Sequence, residues 1–220
     1  MVRLLFVCTA NVCRSPVAER LASLYASRSL GPAATSLEVR SAGLEAPVGR
    51  EMDPRSAAAL IRLGGDPAHA YAKAFVPQMA EDAELVFTMT RSQRRAVLEL
   101  TPRGLRRTFT LLEAADLLKL ADVRGLEAHP LSTRAAVLAR LMDAARARRR
   151  STDADDIADP VGHRNDIHVR VATQIDEALR PLVAVLTNSR LAAEAASGAE
   201  LGGRDSAHRS AAGARPQGDQ

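Results

Sequence analysis

Leu4-Leu5-Phe6-Val7-Cys8-Thr9-Ala10-Asn11-Val12-Cys13-Arg14-Ser15-Pro16 decides how the rest of the chain is read. The apolar run up to Val7 reads as a strand buried on both faces, as in a parallel sheet. Pro16 suits the first turn of a helix, where its missing N–H is not needed. A thiol therefore ends a strand, and an arginine six positions later begins a helix. Thiolate is the reactive form of cysteine, so Cys8 needs positive potential nearby. The amides of residues 9–14, a helix N-terminus and Arg14 all supply it. The same groups suit a tetrahedral oxyanion, because a guanidinium offers paired donors to two phosphate oxygens. Ser15 is placed to hydrogen-bond Cys8 or to cap the helix.

Composition bounds the rest. The chain has 220 residues, the length of one ordinary domain with some to spare. Apolar residues make up 46% but aromatics only 3%, so Ala, Leu and Val must fill the core. The net charge of +4 comes from 30 basic and 26 acidic residues, too balanced to argue for nucleic acid. The two cysteines, Cys8 and Cys13, do not form a secreted disulfide framework, and a reducing cytoplasm fits them better. The first apolar run is too short for a membrane span or a signal peptide. Two cysteines in one loop do not make a zinc site, and no His/Cys cluster lies near them in sequence, so no metal and no cofactor are expected. The sequence sets no oligomeric state.

Strands are expected at 3–8, 37–41, 83–89 and 107–111, and helices at 15–29, 54–63, 92–100, 112–120, 132–150 and 165–186. Strands alternating with helices imply a parallel α/β sheet with right-handed crossovers. Asp53 reads as the cap of the second helix. The basic cluster Arg146, Arg148, Arg149 and Arg150 reads as a solvated helix face, and the acids at 153–156 as solvated neighbours. Residues 189–220, rich in Ala, Gly, Ser and Arg, read as a disordered tail after a domain spanning 1–188.

Residues 5–19, from Leu5 through Cys8, Asn11, Cys13, Arg14, Ser15 and Pro16 to Glu19, closely resemble the N-terminus of the low-molecular-weight protein-tyrosine phosphatases. Cys-x5-Arg alone is weak, whereas Asn11, Cys13, Ser15 and Pro16 at their places after a first strand make the pattern specific. The resemblance covers about residues 3–118 and 156–186, which leaves about 121–155 as an insertion. It implies a doubly wound α/β fold with a four-stranded parallel sheet, phosphotyrosine protein phosphatase I-like. It also implies metal-independent hydrolysis of a phosphate monoester through a cysteinyl-phosphate on Cys8.

By the same resemblance, Thr9, Ala10, Asn11, Val12, Cys13 and Arg14 bind the phosphate. Ser41 of Ser41-Ala42-Gly43 and His69 brace Asn11, and Cys13 is a reversible disulfide partner for Cys8. Three Asp-Pro pairs offer a proton donor: Asp53, Asp66 and Asp159. Asp159, just before the last helix, matches the family's general acid. Where the family often has Asp after the Met of the third strand, this chain has Thr90. The aromatic walls that grip a tyrosine ring are replaced by Val161 and by Leu44-Glu45-Ala46-Pro47. Expected substrates are a phosphotyrosine protein or a small phosphate ester, with no nucleic acid or membrane partner. The alternatives are an arsenate reductase served by an external thiol or redoxin, and a phosphate- or phosphoprotein-binding module without turnover.

Overall fold

The computed structural model describes residues 1–187, so the expected tail at 189–220 lies outside the described residues. Four strands, β1 (Val2–Cys8), β2 (Leu37–Gly43), β3 (Leu85–Thr88) and β4 (Thr108–Thr110), form one parallel sheet in the order β2-β1-β3-β4. β1 is thus interior, with Cys8 at its carboxyl end opposite Gly43.

Among the described residues seven α-helices flank it: α1 (Arg14–Leu30), α2 (Pro54–Arg62), α3 (Pro77–Asp82), α4 (Arg91–Leu100), α5 (Leu111–Leu120), α6 (Leu131–Ala145) and α7 (Asn165–Thr187). Side chains alternate across a strand. Leu4, Phe6 and Cys8 therefore face one core, with α1, α5, α6 and α7. Leu5 and Val7 face the other, with Ala80 of α3 and Val97 of α4. Helices on both faces make the sheet doubly wound, as expected. Phe6 and Phe87 stack at 5.3 Å between ring centroids in the larger core, adding aromatic contact to a chain poor in it.

The strand and helix expectations hold to within a few residues, and α3 is the element they missed. The helix expected over 132–150 ends at Ala145 and continues as a 3-10 turn, Arg146–Arg148.

The expected solvated basic face is corrected in part: Arg148 and Arg150 are exposed, whereas Arg146 and Arg149 are drawn into ion pairs. Arg146 pairs with Glu113 at 3.0 Å and lies over the Phe109 ring, while Arg149 bonds Asp116 and Asp155. The acids at 153–156 are not simply solvated either. Asp155 is 1% exposed against Arg149, and Asp156 accepts from Arg91. The charges that adjoin in sequence belong to different partners in space.

Candidate active site

The loop between β1 and α1 closes on the Cys8 sulfur. The Asn11 N–H donates to it at 3.2 Å, and the Ser15 hydroxyl lies 3.0 Å away. To make this turn Asn11 takes φ 53°, which a non-glycine residue seldom adopts. Its side chain holds it there. Asn11 Nδ2 donates to Ser15 and to Ser41, both at 2.8 Å, and Oδ1 accepts the Lys73 N–H at 2.8 Å. Ser41 in turn donates to the Glu19 carboxylate. With Asn11 filling the acceptor side of Ser15, the Ser15 proton is free to point at the sulfur. Ser15 therefore serves Cys8, and α1 has no side-chain cap.

The loop needs Gly43 beside it. A Cβ there would stand 2.6 Å from the Thr9 carbonyl oxygen, closer than any real contact. On the other flank Gln93 donates to Thr9 Oγ1 at 3.0 Å while its carbonyl accepts from Met89 and Thr90. Thr90 itself caps α4 and completes a capping box with Gln93. The acid missing at position 90 is thus answered by a neutral cap and a neutral brace.

Arg14 is 4% exposed and reaches across to the segment before α7. Its Nη1 donates to the Ile157 carbonyl at 3.0 Å and its Nη2 to Asp159 Oδ2 at 2.7 Å. Its Nε is buried without a partner among the described residues. A fixed donor of this kind is what an oxyanion would satisfy. Asp159 is half exposed, so it meets both Arg14 and solvent. The other two Asp-Pro acids are taken up locally. Asp53 accepts from Arg55 and Ser56 at the start of α2, and Asp66 accepts from Ala68.

Cys8, Arg14, Asp159, Asn11, Ser15 and Ser41 thus converge. His69 does not, and its expected role is corrected. At φ 58° its ring lies beside Tyr71, and the Lys73 backbone amide takes the place expected for it on Asn11. Val161 is exposed, while Leu44 packs half-buried against the smaller core. Cys13 is buried, and burial pushes its thiol up to about 12 against a lesser opposing hydrogen bond from Ser56. Both cysteines are free. Glu19, Gln93, Gly43 and the Ile157 carbonyl are site groups the sequence reading did not single out.

The model of the family described as low molecular weight phosphotyrosine protein phosphatase matches residues 3–124, more than half of the chain. The chain belongs to this family. A low-molecular-weight protein-tyrosine-phosphatase of Acinetobacter johnsonii is 29% identical over 108 residues, covering 49% of this chain and 70% of that protein. A protein-arginine-phosphatase of Geobacillus stearothermophilus is 34% identical over 109 residues, covering 50% and 68%. Among solved structures, the YwlE arginine phosphatase from Geobacillus stearothermophilus superposes with a TM-score of 0.60 at 26% identity, over 87% of this chain and 97% of that one. This low-molecular-weight phosphatase is accordingly a hydrolase of the cysteine-dependent kind. Among its described residues no helix is long and apolar enough to cross a membrane.

Proposed function

We propose that this phosphatase hydrolyses protein-tyrosine phosphate through a cysteinyl-phosphate, with Cys8 as nucleophile, Arg14 as phosphate clamp and Asp159 as general acid. The observation that carries the reading is the single guanidinium that bridges the two ends of the chemistry: Arg14 is anchored beside Cys8 and bonds Asp159 at 2.7 Å. The Cys8 thiolate attacks phosphorus in line, and the ester oxygen leaves. The loop amides and Arg14 stabilise the equatorial oxygens as charge redistributes. As those oxygens engage Arg14, Asp159 is released, takes up a proton from solvent and passes it to the leaving oxygen. Asp159, now a carboxylate, takes a proton from water, which attacks the cysteinyl-phosphate and frees phosphate. No step requires a metal or cofactor. Asn11, Ser15 and Ser41 position the loop, and Cys13 is an oxidation partner for Cys8. A reducing cytoplasm suits two free cysteines.

A second substrate, phosphoarginine, is favoured by the relatives named as protein-arginine-phosphatases. It would use the same loop and acid. The test is hydrolysis of p-nitrophenyl phosphate, then of phosphotyrosine and phosphoarginine peptides. Cys8→Ser should abolish turnover, and Asp159→Asn should lower kcat by about 100-fold or more. Wild-type turnover no greater than that of Cys8→Ser would overturn the reading. Arsenate with a thiol reductant, run on the same proteins, separates the reductase alternative.

A further inference from the structure

Three elements meet beside the phosphate loop. Cys13 comes from the end of the loop, Asp53 from the cap of α2 and His168 from the first turns of α7. One ligating atom of each lies within 4.8 Å of the other two. Cys13 and His168 are buried, at 2% and 1% exposure. The Ser56 hydroxyl sits beside them, 2.9 Å from His168 Nδ1. Asp53 Oδ1 stands 3.6 Å from His168 Nδ1, beyond hydrogen-bond length. His168 Nε2 has no partner among the described residues.

The hydrolytic steps use none of this beyond the backbone of Cys13, whose sulfur enters the proposed function only as an oxidation partner for Cys8. It is Nδ1 that His168 turns toward the cluster, and a buried imidazole facing a carboxylate beside a buried thiol calls for an explanation that a leucine or phenylalanine there would not. Thiol, imidazole and carboxylate together are a donor set suited to a borderline-soft cation. We propose that Cys13, Asp53 and His168 form a binding site for Zn2+ or a similar thiophilic divalent ion.

The geometry needs little change. Zinc–sulfur bonds of about 2.3 Å and zinc–nitrogen or zinc–oxygen bonds of about 2.0–2.2 Å put tetrahedral ligands roughly 3.3–3.7 Å apart. The three ligating atoms already stand within 4.8 Å of one another, and His168 Nδ1 and Asp53 Oδ1 are 3.6 Å apart. Binding replaces the S–H bond of Cys13 with an S–metal bond, and the proton leaves to solvent. The dication, the thiolate and the carboxylate then sum to zero charge, so no net charge is buried. His168 ligates as the neutral ring through Nδ1. The Asp53 side chain, 24% exposed, offers the entry path. An ion held there ties the phosphate loop to α2 and α7 and withholds the Cys13 sulfur from Cys8.

The test uses the full chain carrying Cys8→Ser, in which Cys13 is the sole thiol. Anaerobic titration with Co2+ should give a saturable sulfur-to-cobalt charge-transfer band in the near ultraviolet at one equivalent, with one proton released and reversal by Zn2+. His168→Phe and Asp53→Asn should each weaken cobalt binding tenfold or more. Absence of the band at saturating cobalt, or an affinity that neither substitution changes, would overturn the proposal. If circular dichroism finds His168→Phe misfolded, Asp53→Asn carries the comparison alone, since it retains an oxygen for the α2 cap. Because Cys8→Ser lacks the nucleophile, the result does not depend on the hydrolytic reading.

Discussion

Asn11 concentrates the cost and the purpose of the loop in one residue. A left-handed φ at a non-glycine position costs about 1 kcal/mol or more, and it persists only where the surroundings over-determine it. Here three side-chain hydrogen bonds do so. Asn11→Ala keeps the strain and loses all three, so kcat/KM toward p-nitrophenyl phosphate should fall by roughly 100-fold, the order expected when reacting groups shift by about an ångström. Gly43→Ala attacks the same loop from outside. With the Thr9 oxygen 2.6 Å from the new Cβ, the loop must move. Inhibition by inorganic phosphate should weaken at least tenfold, and an unchanged inhibition constant would refute the steric argument. At this scale the meeting of Arg14 with Asp159 near Cys8 was legible because residue type and adjacency to Pro16 and Pro160 mark all three. Glu19, Gln93 and Gly43 were not, because their roles arise from which strands and helices lie next to the loop. His69 misled because the bond expected of it comes from the backbone of Lys73, and a backbone amide leaves no mark in sequence.

The segment leading to Asp159 behaves as a strap fastened at successive residues. Asp155 is tied to Arg149, and Asp156 accepts the Arg91 N–H at 2.7 Å along with its guanidinium. The Ile157 N–H donates to Met89, and its carbonyl accepts from Arg14. Arg91 is therefore a positioning residue for the acid. Arg91→Ala should slow phenyl phosphate, whose leaving oxygen needs a proton, far more than 2,4-dinitrophenyl phosphate, whose leaving oxygen does not. Equal losses on the two substrates would assign Arg91 a merely structural role. Deeper along the strap, Asp155→Ala leaves Arg149 with Asp116 alone in a largely buried setting. Denaturant unfolding should report a loss of about 3 kcal/mol. The sequence displayed these charges as two like-signed runs, and like-signed runs read as solvated. Their pairing appears only once α5, α6 and the turn after it are folded against one another.

For the molecule as a whole, two buried acids set the alkaline limit. Burial raises Cys13 from 9.0 to about 12, and burial together with Asp176 raises Tyr25 from 10.0 to about 12. The folded chain keeps both protons where the unfolded chain releases them. The stability they contribute is full below pH 9 and is lost as pH rises toward 12. Thermal unfolding between pH 9 and 12 should show this decline, and Cys13→Ser should flatten it from the low end; a parallel curve for the variant would contradict the assignment. The doubly wound parallel sheet was readable because strands alternate with helices along the chain, whereas its strand order was not read. α3 was not, since six residues behind Pro77 carry too short a period to separate a helix from a loop.

β1 is interior to the sheet although it precedes the other three strands in the chain, and Arg14 meets an acid 145 positions away. A chain emerging from the ribosome therefore exposes its thiol and its most apolar strand long before β3, the acid or α7 exists to cover them. The proposed nucleophile is therefore made well before the residue proposed to protonate its leaving group, and the proposed site assembles only once the segment around Asp159 has been added.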